Sequence, residues 1–157
     1  QILSLADFNN PLDRIKNWNS LYGKNGLLQF QAVFSAEHSE PIISELVQII
    51  QNCAATPTLA VLKYFTQPGA GMLSFVEPGF TIAIDFINNA KARKSIKLMN
   101  EKITAANGKL YLAKDLFMTK QQFQKQYANY LNFKTILAEY QCYYQSNCSQ
   151  RTLGFEE

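Results

Sequence analysis

Apolar and polar residues alternate most cleanly in "GLLQFQAVF", Gly26 to Phe34. Successive side chains of a strand point to opposite faces, so Leu28, Phe30, Ala32 and Phe34 share one face and Gln29 and Gln31 share the other. "TLAVLKYFT", Thr58 to Thr66, reads as a second strand ended by the turn residues of "QPGAG". "MLSFVEPGFTIAIDFI" reads as strand, Pro-Gly turn and strand, its first half being an extended loop in the alternative reading. "KLYLAKD", Lys109 to Asp115, reads as the last strand. Between these segments the period changes. Ile42, Ile43, Leu46, Val47, Ile50 and Cys53 keep the spacing of a buried helical stripe, with Ser39 placed to cap it and Pro41 tolerated in its first turn. Ala92, Ile96, Met99 and Ile103 form a second stripe, which stops at Asn107-Gly108. "NPLDRIKNWNSLYG" predicts a short helix or turn-rich lead. Shorter helices are predicted around "TKQQFQKQY" and "YLNFKTILAEY".

The resulting order is β-α-β-β-α-β followed by helices. It predicts an α+β fold of the ferredoxin-like, split βαβ kind: an antiparallel sheet with both helices on one face, plus C-terminal helices. Phe80, Ile82, Ile84 and Phe86 then meet the helices, as do Leu62, Tyr64, Leu110 and Leu112. The other face collects Gln29, Gln31, Lys63, Thr81, Ala83, Asp85 and Tyr111. This face is polar but carries little charge. It suits a surface that covers a polar ligand or docks on another domain better than one facing only water.

Composition narrows the class. A chain of 157 residues with 47% hydrophobic residues is one domain able to bury a core. Fifteen Lys and Arg against 12 Asp and Glu give +3, too little to argue for nucleic acid. The one dense basic stretch, "KARKSIK", reads as the solvated face of a helix. No stretch is apolar enough to cross a bilayer. Cys53, Cys142 and Cys148 contain no Cys-x-x-Cys pair and suggest no metal site. Cys53 reads as a buried free thiol, and free thiols in a reducing interior are the simpler reading of the other two. His38, the one histidine, lies in a loop without the partners of a catalytic triad.

Individually the candidate residues leave alternatives open. Two glutamines one pleat apart lie roughly 7 Å from each other and can hold hydroxyls or the edge of a heterocycle, or simply belong to an interface. Lys63 is a solvated lysine or an anion-binding group. Lys114 is a candidate cation at a strand end, or the partner of neighbouring Asp115. Asp85 reads as an anchor for a loop or helix end, and Tyr111 as packing.

In order and spacing, "NWNSLYGKNGLLQFQAVF", "VLKYF", "MLSFVEPGFTIAIDF", "NGKLYLAKD" and "YQSNCSQRTLGF" resemble the C-terminal part of FAD-linked oxidoreductases. The resemblance is to the decaprenylphosphoryl-ribose oxidase branch of the vanillyl-alcohol-oxidase superfamily, and it runs from about Pro11 to Phe155. It implies a two-domain parent, in which residues 1–157 form a single C-terminal cap and substrate domain over FAD. The FAD-binding domain lies outside this sequence, which has no Gly-rich pyrophosphate-binding stretch. The partners implied are that domain and a small sugar-like substrate, not nucleic acid. A cytoplasmic protein, or one peripheral at a membrane in the parent, is the expectation.

By position, the resemblance implies that Lys114 is the essential lysine beside flavin and sugar. Gln29 and Gln31 line the substrate and flavin side, Lys63 suits a phosphate or other anionic group, and Tyr111 lines the pocket. Thr81 stands where an amide is familiar. Ala83 stands where a mycobacterial member has a cysteine attacked by covalent inhibitors, so that reactivity is expected to be lost. Asn10 replaces an expected aromatic, and the tail has fewer arginines than the family pattern. The implied reaction is oxidation of a secondary alcohol of a sugar-like, phosphate-linked substrate by hydride transfer to flavin, with the isolated chain inactive. The competing reading is a non-catalytic ferredoxin-like interaction or RNA-binding module using Lys63, Tyr64 and Tyr111.

Overall fold

The alternating and helical patterns settle into one sheet with helices on a single face. The computed structural model describes residues 4–5, 16–17, 20, 22–142 and 144–153. The lead "NPLDRIKNWNSLYG" and Asn10 fall largely outside these. Strand β1, Leu27–Phe34, pairs along its whole length with β3, Gly79–Ile87. Strand β2, Pro57–Phe65, lies outside β3, and β4, Lys109–Leu110, outside β1. The order β2-β3-β1-β4, with every pair antiparallel, is the split βαβ arrangement of an α+β fold.

Helices α1, Ser39–Asn52, and α2, Ala90–Ala105, make the two crossovers. They bury Ile42, Leu46 and Ile50 from one, and Ala92, Ile96, Met99 and Ile103 from the other. Against them pack Leu28, Phe30, Ala32 and Phe34 of β1 and Ile82, Ile84 and Phe86 of β3. Cross-strand pairs such as Phe30 opposite Ile84 and Leu28 opposite Phe86 make this the core face, as the alternation requires. Gly79 opens β3 at φ +144, and a Cβ there would run into the Phe34 carbonyl. Asn107 closes α2 in the left-handed region, at φ +55.

Three further helices follow: α3, Lys120–Gln126, α4, Tyr130–Glu139, and α5, Asn147–Leu153. Thr119 and Gln122 form a reciprocal capping box at the start of α3. That helix also satisfies the outer side of β4. The Gln126 Oε1 accepts from the Leu110 N–H at 2.8 Å, and the buried Tyr127 hydroxyl donates to the Leu110 carbonyl. Burial in this apolar setting pushes the Tyr127 phenol well above its ordinary range.

Several expectations need correction. "KLYLAKD" is not one strand: the ladder ends at Leu110, and Leu112–Lys114 form a 3-10 turn. Leu112 reaches the core through that turn, so its apolar spacing mimicked a strand. Residues 72–78 are loop, which is the alternative reading of that segment and not the strand. Leu62 and Tyr64 do not sit under helices but are 51% and 54% exposed. His38, not Ser39, occupies the cap position of α1 and makes no side-chain cap hydrogen bond. Cys53 is half-buried at the end of α1, and α5 was not anticipated.

Candidate functional site

The two glutamines lie on the face opposite the helices. Their rows are fixed by register: Gln29 faces Asp85, Gln31 faces Ala83, and Val33 faces Thr81, which on its other side faces Lys63. Asp85 is 5% exposed and accepts a hydrogen bond from Gln29 Nε2. A carboxylate only accepts, so this contact orients the amide and leaves Gln29 Oε1 as an acceptor. Gln31 Nε2 makes a longer contact, 3.4 Å, to the hydroxyl of buried Thr81. Ala83 is half-buried beside Gln31 and offers only a methyl group.

One end of this face is walled by aromatics. Phe75, from the loop before β3, is buried and stacks at a tilt on Tyr111, with ring centroids 4.7 Å apart. Its edge meets Phe65 at 6.2 Å. Lys109 ties the same loop down by donating to the Ser74 carbonyl and pairing with Glu77. Tyr111 is thereby held as a fixed surface next to Gln31, whose carbonyl accepts from the Tyr111 N–H at 3.0 Å.

At the other end the short β4 leaves an opening. Backbone groups two residues apart on a strand point the same way, so the Gln29 N–H and C=O face the side on which Gln31 meets Tyr111. Beyond Gln31 no described strand covers that edge. The 3-10 turn carries Lys114 into the opening. The result is an open cleft of about 290 Å³ lined by Leu28, Gln29, Lys114, Asp115, Phe117 and Arg151, among others. Lys114 is exposed, and its expected partner is engaged elsewhere: Asp115 pairs with Arg151, 3.1 Å from NH2 to Oδ2.

The structure thus brings Gln29 and Lys114 to one cleft, and Gln31, Thr81, Ala83 and Lys63 to neighbouring rows. It does not bring Lys63 to Lys114. They belong to opposite edges of the sheet and to different levels along it, Lys63 level with Thr81 and Val33, Lys114 beside Leu28 and Gln29. Phe75, Arg151 and Asp115 also shape the site, and sequence reasoning missed the first two. Arg151 lies 36 residues from Asp115 with no periodic pattern linking them. Cys148 donates to the same Asp115 carboxylate at 3.1 Å; burial, then that hydrogen bond, push its thiol upward. No group of His, Cys, Asp and Glu able to hold a metal occurs among the described residues. No described helix is long and apolar enough to cross a membrane.

The chain is similar to the decaprenylphosphoryl-beta-D-ribose oxidase of Mycolicibacterium smegmatis, with 32% identity over 127 residues. The match covers 81% of this chain and 27% of that protein, so the chain spans about a quarter of the relative's length. No family model matches the chain.

Proposed function

We propose that this chain is the substrate-binding, flavin-capping domain of an FAD-dependent oxidoreductase, acting on a secondary alcohol of a sugar-like substrate. The observation that carries the reading is the meeting of Gln29 and Lys114 at one open cleft, in a chain akin to an oxidase. The donor set fits the pyrimidine edge of a flavin or a sugar hydroxyl. An ammonium, an amide oriented by Asp85 and a bare strand edge offer both donors and acceptors at this cleft. FAD, held mainly by a separate domain, supplies the hydride acceptor.

The chain's own residues bind and orient. Lys114 stabilises negative charge developing on the reacting oxygen, and Gln29 fixes a hydroxyl or the flavin edge. Gln31, Thr81 and Tyr111 line the next portion of the substrate. Lys63, three strands away, receives an anionic group such as a phosphate, which gives the substrate an extended length. With alanine at position 83, thiol-directed inhibitors find no nucleophile there. The bare faces of β2 suit docking on the FAD-binding domain.

The test is Lys114→Met in the complete flavoprotein, with anaerobic flavin reduction by decaprenylphosphoryl-β-D-ribose as the readout. The expected loss is about 100-fold or more in rate, with the fold retained. Wild-type reduction by this variant overturns the reading. Salt-sensitive RNA binding by the unaltered chain, with no reduction in the complete protein, favours the interaction-module reading instead.

A further inference from the structure

Lys114 sits on a very short support. Its 3-10 turn has three residues, and the Lys114 N–H closes on the Tyr111 carbonyl at 2.9 Å. Such turns have poor hydrogen-bond geometry and hold little by themselves. The residue that follows, Asp115, is the nearest carboxylate in sequence and the natural partner to neutralise Lys114.

Arg151 of α5 intervenes on both counts. Its NH1 donates to the carbonyl oxygens of Asp115, at 2.7 Å, and Met118, at 2.8 Å, while NH2 pairs with Asp115 Oδ2. The Met118 N–H in turn donates to the Asp115 carbonyl at 2.8 Å, closing a second turn directly behind the first. Met118 is fully buried, and Thr152 and Leu153, next to Arg151, are buried as well, so both ends of the clamp are anchored. The planar guanidinium spans two carbonyls and a carboxylate in a way an ammonium cannot. Arg151 also lines the same cleft as Gln29 and Lys114.

We propose that Arg151 is a positioning residue: by holding Asp115 it fixes the turn that presents Lys114 and keeps that carboxylate from neutralising the lysine. The inference rests on the reading of Lys114 given above. Arg151 acts through its neighbours and has no chemical step of its own.

Two measurements test it. In the 157-residue chain, Arg151→Gln is expected to raise amide hydrogen exchange at Lys114 and Met118, whose N–H groups close the two turns, by about tenfold as the local clamp opens. In the complete flavoprotein the same change is expected to move the flavin reduction potential to a more negative value, since Asp115 then cancels the Lys114 charge. Adding Asp115→Asn to Arg151→Gln is expected to restore the potential without restoring the exchange protection. A purely structural clamp would not give that charge-specific rescue. Should Arg151→Gln fail to fold, Asp115→Asn alone keeps both carbonyl contacts, and the Arg151→Lys and Arg151→Lys/Asp115→Asn pair carries the comparison. An unchanged potential in the arginine variants, with Lys114→Met shifting it, overturns the inference alone. An unchanged potential in Lys114→Met overturns the reading beneath it as well.

Discussion

Strands β1 and β2 belong to the same sheet and are similarly apolar, yet the fold treats them in opposite ways. In β1, Leu28, Phe30, Ala32 and Phe34 are buried under helices, and both neighbours hold part of its backbone. In β2, eight of nine residues are exposed, and among the described residues hydrogen bonding to a strand occurs on the β3 side alone. The two helices cover the inner pair of strands and stop short of the outer one. Apolar character in β1 therefore stabilises the domain, whereas in β2 it remains available for contact with something else. The polar face follows the same division: Gln29 and Asp85 belong to the half-covered interior, and Lys63 to the open edge.

The comparison can be broken most directly at Phe30. Truncation of this 1% exposed ring to alanine should cost about 3–5 kcal/mol in denaturant unfolding. A loss below about 1 kcal/mol would mean that β1 is not the structural strand. Gln29→Leu sharpens the boundary between support and function. It removes the side-chain donor to the buried Asp85 carboxylate and should cost about 1–3 kcal/mol, with most of that recovered in the Gln29→Leu/Asp85→Leu double variant. Leu62→Ala is the small end of the series. At 51% exposure it should change stability by no more than about 0.5 kcal/mol, and a larger loss would show that β2 carries core weight after all.

Much of this was readable in the chain itself, because the strongest signals were those of burial. The period-2 row of β1 and β3 and the period-3.6 stripes of α1 and α2 correspond to surfaces that meet in one core. The side of the sheet on which Gln29, Gln31 and Thr81 lie followed from the same parity. Leu62 and Tyr64 misled because apolar spacing reports compatibility with burial, not its occurrence, and no local pattern tells how far a helix layer extends. The turn at Leu112–Lys114 was hidden for a related reason: Leu110 and Leu112 both reach apolar surroundings, one in a ladder and one off it. Arg151 was invisible as a site residue because two of its contacts are the backbone carbonyls of Asp115 and Met118, and its side-chain partner, the Asp115 carboxylate, lies 36 residues away. Sequence carries no side-chain signature for such contacts.

The ladder between β2 and β3 carries a register irregularity between Pro57 and Leu59. Proline has no amide hydrogen to offer an incoming strand, and a local slip twists the backbone away from flat pairing. That end of the outer strand is therefore guarded against self-adhesion, while Val61 to Tyr64 has Lys63 as its sole charge. Val61 to Tyr64 is accordingly the stretch of that edge left open to a strand from another molecule, and a second charge placed there is expected to raise the concentration the chain tolerates without altering its folding equilibrium.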